Sequence, residues 1–405
     1  MKKLFLHIGS HKTGSTSIQA ACTLNKKVLH QQGFYFFDKT PAGNVIESGN
    51  TSSWIPSDKS VHENIYNGIG LFVNQIEKLA NKLNESHYNN VIMSAENFSW
   101  IFNAKHLKDL SNELSKFFDV RVISYIRRQD KLLMSHFQQA SKSPNLPAYA
   151  YYKGGCLSLP YSREHYDEYL DYNRKLSMWG EAFGIECMIV KVFDRNNLKN
   201  EDVVIDFFST VGINTTNIET LTINESNGFQ RTKIGHLINN SSLRGGLDSV
   251  IRKCTDNQSK MLPSRQEAQA IYKKFKSSNI ELNKKFNVSN EFEDIFGDDF
   301  SSYPVESSEH WDEDSANEAL TNIFNALPNL DSIVDLLRDA AVDLETVDLN
   351  KSYQLMKKAN EFRPYGMFIK NKLEDYERIL NHEVKRKKTK YSLLKKWMRR
   401  LQFWS

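Results

Sequence analysis

The chain has 405 residues, of which 40% are hydrophobic and 12% aromatic, enough to bury a full core in two or three domains. The net charge of +4 is uneven, because residues 384–405 carry nine Lys/Arg and no acid, which leaves −5 on the rest of the chain. This distribution argues against a broadly basic nucleic-acid-binding protein. Four scattered cysteines without a C-x-x-C pair indicate neither a disulfide framework nor a zinc site.

The first predicted element is a short buried strand over residues 3–8. The basic start of the chain is followed by only three apolar residues before His7 and a glycine turn, which does not fit a signal peptide. No stretch of the chain approaches the roughly 18 consecutive apolar residues that a membrane-spanning helix needs. We therefore expect a cytoplasmic protein.

The sequence HIGSHKTGST, residues 7–16, joins this strand to a predicted helix that begins at Ser15. A strand, a glycine-bounded loop and a helix form the context of a phosphate-binding loop, because a helix N-terminus presents unpaired N–H groups and a positive dipole end. In the common nucleotide-binding loop the lysine follows the second glycine. Here Lys12 precedes Gly14 by two residues, so the loop binds its anion in a different arrangement.

Three more apolar strands follow in the chain, and amphipathic helices separate them. The strands are predicted at 90–94, 120–126 and 186–193, and the helices at 69–83, 105–118, 131 onward, 165–183 and 201–211. Since strands and helices alternate, the sequence predicts an α/β fold whose parallel sheet is covered by helices on both faces. Beyond residue 212 the pattern is helical and polar.

Three regions are predicted: a domain over 1–305, a helical C-terminal region over 317–382 and a basic amphipathic tail over 383–405. The acidic, turn-rich stretch 295–316 separates the first two. In the tail, leucine, methionine and tryptophan alternate with Lys/Arg, which is typical of a helix that lies on an anionic membrane surface. A docked or frayed terminal helix is the alternative. Because of this tail, the expected location includes the inner face of the membrane as well as the cytoplasm.

Residues 12–17, K-T-G-S-T-S, resemble the 5′-phosphosulfate loop of sulfotransferases, enzymes that use 3′-phosphoadenosine 5′-phosphosulfate (PAPS). In that family an arginine at the end of a later strand, followed eight residues on by a serine, holds the 3′-phosphate. Arg127 and Ser135 in YIRRQDKLLMS have this spacing, and Arg128 is the competing arginine. The resemblance implies a P-loop-like sheet and the PAPS-binding residues Lys12, Thr13, Gly14, Ser15, Thr16, Ser17, Arg127 and Ser135.

Later segments, such as NESNGFQRTKIGHLIN and IFGDDFSSYP, resemble bacterial members of the family that act on glycans. The resemblance covers about residues 1–305. It implies transfer of a sulfuryl group from PAPS to a carbohydrate hydroxyl, on a surface glycan or glycolipid, with adenosine 3′,5′-bisphosphate as the other product. It also implies that no metal ion takes part.

The resemblance implies two catalytic roles: a lysine that neutralises the bridging oxygen, which is Lys12 here, and a histidine or glutamate base. We predict Glu96 as the base, because it stands at the end of the second predicted strand, at the sheet edge where ligands collect. A turn cap or a lysine ion pair is the structural alternative for Glu96. His11 and His62 are the other candidate bases.

Two further functions fit parts of the sequence. A nucleotide or small-molecule kinase with a degenerate loop would need its lysine in a different place. A non-catalytic adaptor that retains the fold would have no use for an intact set of Lys12, Arg127 and Ser135. The sequence therefore favours the sulfotransferase over both.

Overall fold

The computed structural model of the protein describes residues 1–55, 73–142, 159, 164–220, 227–239, 260–326 and 330–381. The chain divides into two compact units, Met1–Ala316 and Asn317–Ser405. His62 and the basic tail lie outside the described residues, and the boundaries at 305 and 383 stay predictions. Within the described ranges, no helix is long and apolar enough to cross a bilayer.

The first unit is built around a five-stranded, all-parallel sheet with the strand order β2-β3-β1-β4-β5. In the central strand, Leu4 lies opposite Val91 on one side and Val120 on the other. The predicted α/β class with a parallel sheet is confirmed. The strands are β1 (Lys2–His7), β2 (Phe34–Phe36), β3 (Asn90–Ser94), β4 (Phe118–Ile126) and β5 (Met188–Val192).

Alternate residues of β1 enter two hydrophobic cores, one on each face of the sheet. Leu4 and Leu6 belong to the first core and Phe5 to the second, because successive side chains of a strand point to opposite faces. Helices cover both cores. They are α1 (Ser15–Leu24), α2 (Lys26–Gln31), α3 (Val73–Asn84), α4 (Ala104–Ser115), α5 (Gln129–Lys142), α6 (Glu164–Leu170), α7 (Tyr172–Phe183), α8 (Val203–Val211), α9 (Phe229–Asn239) and α10 (Arg265–Phe286).

The single helix predicted over 165–183 is two helices in the structure. Asp171 interrupts it, because its side chain accepts a hydrogen bond from the backbone N–H of Arg174 at 3.1 Å and caps the start of α7. The first turns of α7 lie beside the loop that follows β1, since Nζ of Lys175 is 3.2 Å from Oγ of Ser10.

The strand order creates a crevice at the carboxyl end of β1. The chain runs from β1 to β2 and β3 on one side of the sheet and then crosses to β4 on the other side of β1. In open parallel sheets, ligands bind where the strand order reverses in this way. The segments that follow β1, β3 and β4 carry the predicted site residues, and they meet at this edge.

The second unit is helical, as the sequence predicts for the C-terminal extension. Arg363 closes a helical hairpin in it, since its guanidinium donates to the carboxylates of Asp331 and Asp335 at 2.8 Å each. Val334 and Met356 are buried between the helices. The helices are α11 (Glu313–Ala326, which begins just before this unit), α12 (Leu330–Leu344), α13 (Leu349–Phe362) and α14 (residues 367–381).

Candidate functional site

The loop between β1 and α1 contains two residues in the left-handed region, Lys12 (φ 63°) and Gly14 (φ 80°). A Cβ atom on Gly14 would lie 2.8 Å from Cγ1 of Val203, so glycine is required by both conformation and space. A left-handed lysine costs about 1–2 kcal/mol relative to an ordinary conformation. Such strain is concentrated at functional sites.

The start of α1 is open to an external anion. Gly14 is its N-cap and offers no side-chain hydrogen bond, and no acidic residue lies in the first turn. Within the described part of the chain, the six backbone N–H groups of residues 12–17 have no hydrogen-bond partner. Unpaired amides at the positive end of a helix dipole form an anion-binding site.

Lys12 adds an uncompensated positive charge to these amides. The side chain is half-buried and forms no ion pair with any residue that the structure describes. Burial, together with the positive charges of Lys142 and Arg127, lowers the pKa of Lys12 to about 8, while Glu96 opposes the shift. A cation that is disfavoured in this way is one that a bound anion would stabilise.

Arg127 follows the last residue of β4 and reaches the same loop. Its Nη1 donates a hydrogen bond to the carbonyl oxygen of Lys12 at 3.2 Å. The hydroxyl of Tyr172 donates to the carbonyl oxygen of Arg127 at 2.6 Å and fixes the backbone there. The arginine forms no ion pair within the described ranges, and burial lowers its pKa. Lys12 and Arg127, the two cations that the sequence assigns to PAPS binding, therefore lie at the same edge of the sheet.

Arg128, the competing arginine, is fully engaged by the protein. Its Nε and Nη2 donate to the two carboxylate oxygens of Asp130 at 2.8 and 3.0 Å, and its Nη1 donates to the carbonyl oxygen of Asp299 at 2.5 Å. The hydroxyl of Tyr303 donates to the same carboxylate. These bonds hold residues 299–303 against the end of β4. Because they occupy the guanidinium of Arg128, Arg127 is the arginine whose N–H donors are available to a ligand.

The hydroxyl groups of the loop differ in their surroundings. Thr13 is buried, and its hydroxyl donates to the carbonyl oxygen of Ser10 at 2.6 Å, so the side chain supports the loop from inside. Thr16 is exposed and Ser17 half-buried in the first turn of α1. Of these three residues, Thr16 and Ser17 keep side chains that are accessible to a ligand.

Ser135 lies on α5, half-buried, six residues after the helix begins at Gln129. At a rise of about 1.5 Å per residue, this places it about 9 Å along the helix axis from Gln129. No hydrogen bond joins Ser135 to Arg127 in the structure. Ser135 thus lies midway along α5, whereas Arg127 lies two residues before that helix begins.

Glu96 begins a short 3-10 turn, Glu96–Trp100, directly after β3. One carboxylate oxygen accepts a hydrogen bond from the hydroxyl of Ser15, and the other lies 3.7 Å from Nε2 of His11. The carboxylate forms no ion pair with a lysine of the described chain. Ser15 therefore connects the predicted base to the first turn of the predicted anion site.

His11 lies between this carboxylate and an aromatic cluster. Its Nδ1 is 3.0 Å from the hydroxyl of Tyr169, which also accepts a hydrogen bond from the backbone N–H of His11 at 3.0 Å. Trp100 stacks on Tyr169 with ring centroids 3.9 Å apart. Burial lowers the pKa of His11, although Glu96 opposes the shift, so the imidazole is neutral at pH 7. Two proton acceptors, Glu96 and His11, are adjacent.

Lys175, which was not predicted as a site residue, is fully buried on α7, and its Nζ lies 3.2 Å from Oγ of Ser10 in the loop. Its neighbour Arg174 is exposed and paired with Glu168. Arg174 and Lys175 are adjacent in one helix, and the local sequence does not show which of the two side chains is buried. Only the position of α7 beside the loop distinguishes them.

In the described ranges, no group of three His, Cys, Asp or Glu side chains is close enough together to hold a metal ion. No protein-family model matches the chain. An uncharacterized protein of Archaeoglobus fulgidus is 35% identical over 102 residues, so the matched part spans 24% of each chain. A sulfotransferase from Alicyclobacillus acidocaldarius, known from a crystal structure, aligns over 71% of this chain and 97% of its own, with a TM-score of 0.38 and 12% identity. These likenesses leave the residues at the sheet edge as the basis for inferring function.

Proposed function

We propose that this protein is a sulfotransferase that transfers a sulfuryl group from PAPS to a hydroxyl of a carbohydrate, on a surface glycan or glycolipid. One observation carries the proposal: the loop of residues 12–17 combines unpaired backbone amides with an uncompensated lysine. Arg127, from a strand end far away in the sequence, contacts this loop. A ligand with two anionic groups a short distance apart would pair with both Lys12 and Arg127.

The residues present fit a nucleotide that carries a 5′-phosphosulfate and a 3′-phosphate. The amides of residues 12–17 and the ammonium of Lys12 would hold the 5′ group. Arg127 spends one of its five N–H donors on the carbonyl oxygen of Lys12, which leaves a guanidinium edge for a second phosphate. Planar, bidentate recognition of phosphate is the arrangement for which arginine is suited.

PAPS supplies an activated sulfuryl group, and its transfer to a hydroxyl is an in-line displacement comparable to phosphoryl transfer. The ammonium of Lys12 stabilises the negative charge that develops on the leaving oxygen, and the amides of the loop stabilise the charge around it. The carboxylate of Glu96 accepts the proton of the acceptor hydroxyl. The hydroxyl of Ser15 donates a hydrogen bond to this carboxylate and positions it beside the loop.

His11 is the second candidate base, because its imidazole is neutral and adjacent to Glu96. Both of its ring nitrogens already face partners, Tyr169 on one side and Glu96 on the other. The carboxylate can accept several hydrogen bonds at once. Glu96 therefore needs less rearrangement than His11 to accept a proton from an acceptor.

The carbohydrate acceptor is proposed from the sequence resemblance. Of the two loops expected to select it, 40–65 is described up to residue 55, and 140–165 is described only at 140–142, 159 and 164–165. We also propose that the basic tail, residues 383–405, places the protein on an anionic membrane surface. Flotation with anionic liposomes tests this: the full chain should float, and a chain that ends at Asn381 should not. Equal flotation of the two would remove the proposal.

A calorimetric titration with adenosine 3′,5′-bisphosphate tests the function directly. Binding should persist in EDTA, because no step of the proposal involves a metal. Transfer of labelled sulfate from PAPS to a panel of glycans then identifies the acceptor. Magnesium-dependent consumption of ATP, without binding of the bisphosphate, would instead identify a kinase.

A further inference from the structure

Lys175 lies beneath the anion-binding loop, enclosed by neutral groups. Its side chain is fully buried. The ammonium contacts the hydroxyl oxygen of Ser10 at 3.2 Å and the carbonyl oxygen of Tyr169 at 3.4 Å. It also lies 4.2 and 5.0 Å from the ring centroids of Tyr169 and Tyr172. All of these partners are uncharged.

No carboxylate of the described chain forms an ion pair with this ammonium. Asp171, which acts on Lys175 electrostatically, caps α7 instead. Its Oδ1 accepts hydrogen bonds from the backbone N–H of Arg174 at 3.1 Å and from the hydroxyl of Ser278 at 2.5 Å. The nearby acid is thus committed to holding the helix start.

Packing alone gives no reason for a charge at this position. A buried ammonium without a counter-ion destabilises a fold, and the positive end of the dipole of α7 adds to the penalty. Methionine would fill a similar volume without either effect. The charge of Lys175 therefore calls for an anion that the folded chain itself does not provide.

Ser10 connects Lys175 to the loop. Its N–H donates to the carbonyl oxygen of Tyr125 in β4 at 2.8 Å, and its own carbonyl oxygen accepts from the hydroxyl of Thr13. Its hydroxyl contacts Lys175. Strand, loop and buried lysine are thus joined through one residue, two positions before Lys12.

We propose that Lys175 is the second cation of the anion site: a positioning residue that holds the loop through Ser10 and whose buried charge the bound anion balances. The proposal rests on the proposed function, since the anion is the 5′ group of the sulfated nucleotide. Lys12 would contact that group, while Lys175 acts from behind the loop.

Proton uptake follows from this arrangement. Burial lowers the pKa of Lys175 to about 7, with Asp171 opposing the shift, and that of Lys12 to about 8. Burial raises the pKa of Tyr169 and of Tyr172, so both remain neutral, as does His11. A bound anion favours the charged form of both lysines. Binding at pH 8 should therefore draw protons from the buffer.

The test is a titration of the full chain with adenosine 3′,5′-bisphosphate at pH 8, in Tris and in triethanolamine, whose ionisation enthalpies differ. The bisphosphate is already fully ionised there, since the second pKa of a phosphate monoester is about 6. A group with a pKa of 7 is about one-tenth protonated at pH 8. Lys175→Met should therefore reduce the uptake by most of one proton and weaken binding about tenfold, an order-of-magnitude expectation for one charge.

Two variants separate charge from packing. Lys175→Arg keeps a permanent charge, so it should bind the bisphosphate while it loses the same proton uptake. Lys26→Met removes a lysine that is paired with Asp38 at 2.5 Å, and it should change neither quantity. The melting temperature of Lys175→Met should equal or exceed that of the wild type, because an unpaired buried charge is removed.

The wild-type protein provides a test that needs no variant. Its proton uptake on binding should increase from pH 7 to pH 9, because both lysines lose their protons in the free state over that interval. Uptake that stays near zero throughout, or a Lys175→Met protein with wild-type affinity and uptake, would overturn the role of Lys175 and leave the proposed function intact. A wild-type protein that does not bind the bisphosphate would overturn both.

Discussion

Two regions at the end of β4 use adjacent arginines in opposite ways. Arg128 lies in a region where every charge has a partner, with Asp130 and the carbonyl oxygen of Asp299 as acceptors. Arg127 lies one residue earlier, beside the loop of Lys12, in a region where the cations have no acidic partner among the described residues. The two regions have similar residue types, and they differ in whether the fold compensates the charge.

This difference indicates which charged residues stabilise the fold and which are available to a ligand. A buried charge is tolerated when an ion pair and hydrogen bonds compensate it, as they do for Arg128. A cluster of cations that the chain leaves uncompensated is an incomplete site, which an anionic ligand would complete. On this basis we infer that the loop region is the ligand-binding region, whereas the Arg128 region holds residues 299–303 against the end of β4.

The largest expected effect is at Glu96, the carboxylate that is hydrogen-bonded to Ser15 of the loop. Glu96→Gln keeps the size of the side chain and removes the proton acceptor, so turnover should fall by about 10²–10⁴-fold. Affinity for adenosine 3′,5′-bisphosphate should stay nearly unchanged. Sulfate transfer and calorimetry measure the two quantities. The control is Glu113→Gln, which changes a half-buried glutamate that is paired with Lys116. Full activity in Glu96→Gln would move the role to His11.

Removal of the loop cation itself should have the next largest effect. Lys12→Met should lower the turnover number by about 10²–10³-fold, the loss typical of one group that stabilises developing negative charge. Single-turnover sulfate transfer is the measurement, with Lys26→Met as a lysine control outside the site. If Lys12→Met turned over as fast as the control, the loop would not act on the leaving oxygen.

The two arginines provide a crossed pair of predictions. Arg128→Met leaves the buried carboxylate of Asp130 without its partner, so the free energy of unfolding should fall by about 3–5 kcal/mol. Arg127→Met should barely change stability, yet it should weaken bisphosphate binding by about 10–100-fold through the loss of charged hydrogen bonds. Urea unfolding and calorimetry on both variants decide the matter. The reverse pattern would show that the regions are assigned the wrong way round.

The smallest expected effect is the pH dependence. The pKa of Lys12, about 8, and that of Lys175, about 7, lie below the ordinary lysine value. Bisphosphate affinity should therefore fall by up to about tenfold in total as pH rises from 7 to 8, because both lysines lose part of their positive charge over this interval. Stability should change in the opposite direction, because the unfolded chain binds more protons than the folded chain between pH 7 and about 10. Lys12→Met should flatten the affinity profile; an unchanged slope would exclude Lys12 as its cause.

The sequence predicted the parts of the fold that have strong local patterns. The strand, loop and helix around Lys12 and the position of Arg127 at a strand end follow from apolar periodicity and glycine placement. It missed β2, because three residues at a sheet edge are too short to show an alternation. It also missed the helix break at Asp171, a residue that is an N-cap only once the neighbouring chain directions are known.

The candidate site was predicted only in part, for a related reason. Charge and spacing identified Lys12, Arg127 and Glu96. Whether a charged side chain has an oppositely charged partner, however, depends on the three-dimensional fold. The spacing to Ser135 favoured Arg127 over Arg128, but no local pattern shows which of these two arginines has an acidic partner, or which of Arg174 and Lys175 is buried. Their roles depend on which acceptors the fold brings to each side chain.

The central claim is tested most directly by a crystal structure of the complex with adenosine 3′,5′-bisphosphate. The 5′-phosphate should lie at about 2.7–3.2 Å from backbone nitrogens of residues 12–17, with Lys12 beside it. The 3′-phosphate should contact the guanidinium of Arg127. A complex in which both phosphates lie away from Lys12 and Arg127 would contradict the account.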